Sequence, residues 1–256
     1  MKMQFKNKGK PAGSLEIKNQ TSTSADLNIF GDIVSDEWGK WSDEDTCPSD
    51  VYDFLKNLDG AEEINLHINS GGGSVFGGIA IYNMLKRNKA KVTAYIDGIA
   101  ASIASVIACA GDRIIIPANG TFMIHKPTNG YFLESLNADE LRKDAEILDT
   151  CQKAILQAYM EHAKEGVSEE DVNDLINAET WMVGKDVTDY FNFEIENSVN
   201  ATACQSDLFD RYKHTPEDMK RKTPDDIADE VMRRLKDEKE QERKKALLED
   251  LDFFGV

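Results

Sequence analysis

Strand-like and helix-like runs alternate along residues 25–125, and this alternation constrains the fold more than any other feature. Runs that alternate apolar and polar residues indicate half-buried strands, and apolar residues three or four positions apart indicate helices. The predicted strands lie at 25–31, 64–68, 92–96, 113–116 and 121–125, and the predicted helices at 51–58, 75–85 and from 102 onward. Strands that are joined through helices usually pair in parallel. The sequence therefore predicts an α/β core with mainly parallel pairing.

Two glycine-containing segments are predicted to end strands of this core. The glycine run 71–73 follows the second predicted strand, and Asp97-Gly98 follow the third as a tight turn. No Lys-Ser or Lys-Thr pair follows the glycine run, so it does not match a phosphate-binding P-loop. The second break leads into a helix of small residues that begins at Ser102.

Ser102 and His125 are the residues most suited to chemistry. Ser102 stands where the helix amides begin, and His125 ends the apolar run 122–124 and is followed closely by Pro127. A serine hydroxyl becomes a good nucleophile when a neighbouring base takes its proton, and a histidine with a near-neutral pKa is the usual base. We therefore predict a nucleophile and base pair, with Ser105, one helical turn later, as an alternative nucleophile.

Charge and cysteine usage exclude several classes of function. The formal net charge of −17 argues against nucleic-acid binding, which needs clustered Lys and Arg. The cysteines have neither CxxC nor metal-ligand spacing, which favours free thiols in a reducing compartment. They are Cys47, Cys109, Cys151 and Cys204. No metal and no organic cofactor is expected.

Hydropathy gives no signal for a membrane or for secretion. The first residues lack the apolar core of a signal peptide, and no apolar run reaches the roughly 18 residues of a spanning helix. We therefore expect a cytoplasmic protein that has no membrane contact.

The remaining chain divides into an arm, the rest of the core domain and a tail. Residues 1–24 form a polar N-terminal arm, residues 25–200 the main domain, and residues 201–256 a charged tail, partly helical or disordered. Within the domain, the run Leu136–Lys164 has the pattern of one long amphipathic helix. Because so long a helix cannot bury its whole length on a compact core, we expect it to project and to pack on another subunit.

Three segments of the chain form a recognisable set of motifs, namely INSGGGSVFGGIAIYNML, GIAAS and MIHKP. In order and approximate spacing they resemble the INSPGG, GxAAS and MIHQP motifs of the Clp protease proteolytic subunit family. The resemblance covers roughly residues 25–195 and is closest to the Clp-like prohead (head maturation) proteases of tailed phages and prophages. It implies a spiral of βαβ units, shared with the crotonase superfold, with a projecting handle helix.

The resemblance assigns roles residue by residue. Ser102 stands in the nucleophile position of GxAAS, and His125 stands in the base position of MIHQP. The amides of Gly73 and Ile103 stand where the family forms its oxyanion hole. A glycine permits close approach of the substrate, and an amide at a helix start points at developing negative charge.

Two further assignments concern the third catalytic group and the substrate strand. The family's acid lies two positions before an aromatic residue, which here is Glu179 before Trp181, and Asp174 and Asp186 remain alternatives. Residues 71 and 72 would bind the substrate as an added strand. Gly71 replaces the family's proline, which loosens this loop.

These assignments imply a serine endopeptidase that cleaves unfolded or extended protein segments. The resemblance further implies a homo-oligomer, namely a heptameric ring that the long helices would stack in pairs. In the phage version, the substrates would be scaffold or capsid proteins, and the site of action the host cytoplasm or the prohead interior. The family's axial loops and unfoldase-docking pockets are not recognisable, so dependence on an AAA+ unfoldase stays open.

Four alternatives remain at this point. The chain could be a housekeeping Clp-type peptidase that works with an AAA+ unfoldase. It could be an acyl-CoA enzyme of the crotonase superfold, or a catalytically silent ring subunit that binds partners. Finally, a Ser-Lys mechanism that uses Lys126 would make His125 dispensable.

Overall fold

A parallel sheet dominates the larger of two units in a computed structural model of the chain. The structure describes residues 6–7, 10–11, 24–58, 60–131, 134–198, 204, 206–220 and 232. The units are Met1–Thr215 and Pro216–Val256. The helical part expected in the charged tail lies outside the described residues, apart from helical Met232.

The strands are β1 Lys6–Asn7, β2 Lys10–Pro11, β3 Ser24–Ile33, β4 Glu63–Gly73, β5 Lys91–Ala101, β6 Arg113–Pro117, β7 Thr121–Ile124, β8 Thr180–Val183 and β9 Glu194–Glu196. The α-helices are α1 Pro48–Lys56, α2 Val75–Arg87, α3 Ile103–Ala108, α4 Ala138–Met160, α5 Glu169–Asn177 and α6 Val187–Tyr190. Short 3-10 helices lie at Glu37–Gly39, Gly184–Asp186, Asp207–Asp210 and, in the second unit, Glu217–Met219. Strands β1 and β2 form a separate antiparallel pair. The mixed α/β class agrees with the prediction.

Among the described residues, β3 to β9 form one sheet, and its centre is the long strand β5. The order β3-β4-β5-β6-β9 is parallel throughout. The first half of β5 pairs with β6, but its second half pairs with β7, in the register Ala101↔Met123. Strand β8 then adds to β7 in the antiparallel direction. The sheet therefore splits beside the end of β5, and the split leaves room for a site there.

The predicted strand breaks at the glycine run 71–73 and at Asp97-Gly98 are wrong. Strand β4 continues through Gly73, and β5 continues to Ala101. The strand pairing shifts register at two points near these glycines. One shift follows Phe30, between β3 and β4, and the other follows Ile68, between β4 and β5. Pairing with neighbouring strands satisfies the backbone groups of these segments, and this tertiary gain outweighs the local turn preference.

One face of the sheet forms the core with α1, α2 and α3. Along β3, side chains alternate between buried and half-buried, with Leu27 and Ile29 fully buried. Phe54 of α1 and Leu85 of α2 join the same cluster. Burying each such side chain contributes about 1.5–3 kcal/mol, so the alternation fixes which face of the sheet the helices cover.

The long helix predicted at Leu136–Lys164 is observed as α4, with 23 residues. Asn137 caps its N-terminus, and Glu140 completes the capping box. Its second half is anchored on the core through buried Ile155 and Tyr159. Its first half, up to residue 150, is largely exposed. No helix among the described residues combines the length and apolar character needed to cross a bilayer.

Candidate active site

Ser102 is held in an unusual backbone conformation at the end of β5. Its φ is 54° and its ψ is −127°, and it caps the N-terminus of α3. Its amide donates to the carbonyl of Met123 over 2.9 Å. Positive φ is strained for a residue with a Cβ and is retained where the surrounding structure enforces it, often at functional sites. The turn aims the serine hydroxyl away from the α3 axis and toward β7.

His125 lies directly opposite, as the residue after β7. Because Ala101 and Met123 are paired across β5 and β7, the two residues that follow these strands meet. The Ser102 Oγ lies 2.7 Å from the His125 Nε2. Burial lowers the pKa of His125, and this effect favours the neutral imidazole that can accept the serine proton. The structure thus brings together the two residues that sequence analysis paired.

Glu179 is the carboxylate that acts electrostatically on His125. Its charge raises the pKa of His125, against the larger effect of burial. Asp174 and Asp186 are exposed and are not among the charges that shift this pKa. Its φ is 51°, and among the described non-glycine residues positive φ occurs at Ser102 and Glu179.

The hydrogen bonds of Glu179 are made with groups other than His125. In the part of the chain that the structure describes, its carboxylate accepts from the amides of Lys213 (2.9 Å) and His214 and from the Trp181 indole (3.5 Å), but not from His125. Burial opposes ionisation of Glu179, yet the His214, Lys213 and Trp181 bonds and the charge of His125 together lower its pKa. Glu179 is therefore an ionised group near His125 whose carboxylate oxygens accept hydrogen bonds from backbone amides instead of from the imidazole.

The other candidate groups are engaged in structural roles. Ser105, the alternative nucleophile, is fully buried, donates to the carbonyl of Ser102 and bonds the hydroxyl of Tyr159 over 2.7 Å. It fixes α3 rather than facing a substrate. Lys126 is exposed. No hydrogen bond to Ser102 is seen for it among the described residues, so the geometry favours histidine over lysine as the base.

The remaining histidines lie away from Ser102. The Nδ1 of His67 bonds the carboxylate of Asp97 over 3.1 Å. His162 bonds the carbonyl of Cys109, and the side chain of His214 bonds the carbonyl of Ala178.

The glycine run passes close behind Ser102. A Cβ on Gly72 would lie 2.7 Å from the Cβ of Ser102 and 3.3 Å from the amide nitrogen of Ile103, and φ at Gly72 is 104°. A side chain on Gly73, with φ 142°, would collide with the carbonyl of Ile33. These glycines let the β4 backbone approach the nucleophile and the first amide of α3. Gly72, rather than Gly73, makes the direct contact with Ser102.

An apolar pocket opens beside the Ser102–His125 pair. Its walls come from α2, α3, the segment after β7 and the buried half of α4. Besides the pair itself, the lining residues are Val75, Ile103, Val106, Pro127, Ile155 and Tyr159. Its lining is mainly apolar and lies next to the serine hydroxyl. No cluster of His, Cys, Asp or Glu suited to a metal ion occurs among the described residues.

Sequence analysis missed Tyr212, which lies in the site. Its hydroxyl donates to the carbonyl of Gly71 over 2.6 Å, and its ring centroid lies 4.8 Å from that of His125. Burial raises the pKa of Tyr212, while its contact with the Ser102 hydroxyl lowers it. No motif marks this tyrosine, because it lies in a segment whose charged composition indicated a tail.

The fold and the paired side chains define an α/β serine hydrolase, and comparison with known proteins gives its family. Residues 46–191 match the family model described as Clp protease. ATP-dependent Clp protease proteolytic subunit 1 of Chlamydia abortus is 34% identical over 140 residues, which cover 54% of this chain and 71% of that protein. The proteolytic subunit of Ligilactobacillus salivarius is also 34% identical over 140 residues, 54% of this chain and 68% of its own.

A shorter match supports the same assignment. The ATP-dependent Clp protease proteolytic subunit of Leuconostoc citreum is 40% identical over 80 residues, 30% of this chain and 40% of that protein. The chain belongs to the Clp protease family and is a serine-type peptidase. This membership removes the acyl-CoA alternative.

Proposed function

We propose that the chain hydrolyses peptide bonds in extended protein segments through Ser102, His125 and Glu179. The observation that carries this proposal is the 2.7 Å contact between the Ser102 Oγ and the His125 Nε2. The strained backbone at Ser102 supports it, because such strain is retained where function requires the geometry.

In the proposed reaction, the Ser102 oxygen bonds to the scissile carbonyl carbon while His125 takes the hydroxyl proton. The amides of Gly73 and Ile103 donate to the oxyanion. His125 then gives its proton to the leaving nitrogen as the C–N bond breaks. A water molecule, deprotonated by His125, attacks the acyl carbon, and His125 returns the proton to the Ser102 oxygen as the bond between that oxygen and the acyl carbon breaks. Glu179 stabilises the imidazolium that forms twice in this cycle.

The substrate is proposed to bind as an added strand beside Gly71 and Gly72. Strand addition supplies main-chain hydrogen bonds that do not depend on sequence, and it suits extended or unfolded chains.

Labelling with a fluorophosphonate tests this site, with the adduct located by peptide mass mapping. We expect one adduct, on Ser102, and a labelling rate that falls roughly 100-fold or more in His125→Ala, because the base is lost. His67→Ala is the matched control, since His67 lies away from Ser102, and it should label like the wild type. An adduct on Ser105, or equal labelling of His125→Ala, would contradict the assignment.

We propose phage head maturation as the setting, with scaffold or capsid proteins as substrates, in the host cytoplasm or the prohead interior. The support is the sequence resemblance to prohead proteases, including the segment Glu179-Thr180-Trp181 after the long helix. Co-expression with the capsid and scaffold proteins of a tailed phage tests it. Cleavage of those proteins by the wild type, but not by Ser102→Ala, is expected.

A second setting follows from the relatives, which are named as subunits of an ATP-dependent protease. In that case the chain would degrade folded proteins only with an AAA+ unfoldase and ATP. Adding ATP and an unfoldase to the purified chain with a folded reporter separates the two settings. Stimulated loss of the reporter would favour the ATP-dependent one.

A further inference from the structure

A segment near the end of the first unit covers the proposed active site. We name residues 206–215 the covering segment. It contacts the substrate edge at Gly71, the catalytic pair, and the acid Glu179. These contacts lie within the unit Met1–Thr215. The segment therefore belongs to the same body as the site that it covers.

The first effect of the covering segment is to occupy the edge where a substrate strand would add. The Tyr212 hydroxyl donates to the Gly71 carbonyl over 2.6 Å, so this acceptor is already used. The side chain of Ser206 lies 2.8 Å from the position of a Cβ on Gly71. A peptide strand cannot pair with this part of β4 while Ser206 and Tyr212 stay in place.

The second effect concerns the catalytic groups themselves. The ring of Tyr212 stands edge-on to His125, at a centroid separation of 4.8 Å and an interplanar angle of 67°. The amides of Lys213 and His214 bind the carboxylate of Glu179. Glu179 is thus held by the segment instead of by the imidazole that it would orient during catalysis.

The covering segment has further anchors beside its contacts with Gly71, His125 and Glu179. Ser206 donates to the carboxylate of Asp32 over 2.6 Å. Phe209 is buried and packs near Trp181, at a ring separation of 6.4 Å. Thr215 donates to the carbonyl of Phe209 over 2.6 Å, which closes the segment on itself. Displacement of the segment breaks these hydrogen bonds and exposes Phe209, and the hydrogen bonds of a strand added at Gly71 would have to offset that cost.

We propose that the covering segment is autoinhibitory: it closes the active site until an extended peptide displaces it from Gly71. This inference rests on the proposed function of Ser102 and His125. It assigns residues 206–215 a regulatory role as an internal competitor for the substrate strand. Substrate binds only to open molecules, so the apparent affinity for substrate falls in proportion to the fraction of molecules that are open. The segment therefore raises KM and leaves kcat unchanged.

Hydrolysis of a short fluorogenic peptide by the full chain tests the inference. Tyr212→Phe removes the bond to Gly71, and a hydrogen bond is worth roughly 2- to 10-fold in an equilibrium constant. We expect KM to fall by about that factor at unchanged kcat. Ser206→Ala, which loses the anchor on Asp32, should act in the same direction. Tyr52→Phe, at an exposed tyrosine of α1, is the matched control and should leave KM unchanged.

Fluorophosphonate labelling separates failure of this inference from failure of the proposed function. An adduct on Ser102 in every variant, with an unchanged or raised KM in Tyr212→Phe and Ser206→Ala, would overturn the autoinhibitory role alone. A lower kcat in Tyr212→Phe would also overturn it, because Tyr212 would then assist catalysis. Absence of any Ser102 adduct in the wild type and all variants would overturn both.

Discussion

At the scale of single residues, backbone strain and burial prepare the site. The positive φ of Ser102 and of Glu179 places the proposed nucleophile and acid on opposite sides of His125's strand. Each such residue costs about 1–3 kcal/mol, and the surrounding sheet has to offset that cost. Burial of His125 then sets the protonation state in which the pair works.

The pH dependence of hydrolysis follows from His125. Burial lowers the pKa of His125, so the neutral base persists below the ordinary value of 6.5. We expect the acid limb of kcat/KM, which reports the free enzyme, to lie below pH 6.5. In Glu179→Gln the limb should move lower still, because the carboxylate charge favours protonated His125. Loss of its support for the imidazolium should lower kcat roughly tenfold or more.

Asp174→Asn and Asp186→Asn are the controls for this measurement. Both carboxylates are exposed, and neither contributes to the pKa of His125. Their pH profiles should match the wild type. A shift of the acid limb in Asp186→Asn without one in Glu179→Gln would assign the third role to Asp186 instead.

At the scale of elements, the long strands β4 and β5 bring the glycine run against the nucleophile. Strand β5 changes partner from β6 to β7 along its length, and α3 begins immediately after it. Strand β4 runs alongside and carries Gly72 to the same point. The site is thus formed by strand ends that only this pairing brings together.

Gly72→Ala tests this arrangement of strands. The added methyl group would meet Ser102 and the carbonyl of Ala101, at a φ of 104° that disfavours a side chain. We expect the free energy of unfolding to fall by about 2–4 kcal/mol, measured by urea denaturation, and kcat/KM to fall at least tenfold. Gly60→Ala, also at positive φ but in open space, should cost about 1 kcal/mol and leave activity unchanged.

If Gly72→Ala kept full activity, the close approach of β4 to Ser102 would not be required. The oxyanion role proposed for this loop would then have to be abandoned.

At the scale of the whole molecule, α4 offers a surface for assembly. Its first half carries exposed Leu141 and Ile147, 48% and 39% accessible, outside the core. These two side chains are six residues apart and lie on different faces of the helix, so the support for a subunit contact is the resemblance to a ring-forming family. We propose that this half of α4 stacks two heptameric rings.

Charge substitution on α4 tests the proposed stacking. The variant Leu141→Asp with Ile147→Asp should halve the assembled mass in analytical ultracentrifugation, because burying unpaired charges in a contact is costly. Glu146→Gln, on the exposed surface of the same helix half, should assemble like the wild type. An unchanged mass in the double variant would exclude α4 as the stacking contact.

Local sequence patterns were sufficient for the element types and for the catalytic pair. The alternation along β3 and the capping box at Asn137 depend on near neighbours in the chain, so they could be read directly. Ser102 and His125 were identifiable because each stands in a distinctive short motif. The strand breaks were mispredicted because the glycines and Asp97 have turn preferences that only pairing with distant strands overrides.

The sequence by itself determined the α/β class, the family resemblance and the identities of the proposed nucleophile and base. The tertiary structure decided the rest, namely the split of the sheet beside β5, the direction of the Glu179 carboxylate and the position of Tyr212. Tyr212 and Gly71 are 141 residues apart in the chain. No local sequence pattern encodes such a contact, because it depends on where residues 206–215 pack on the folded sheet.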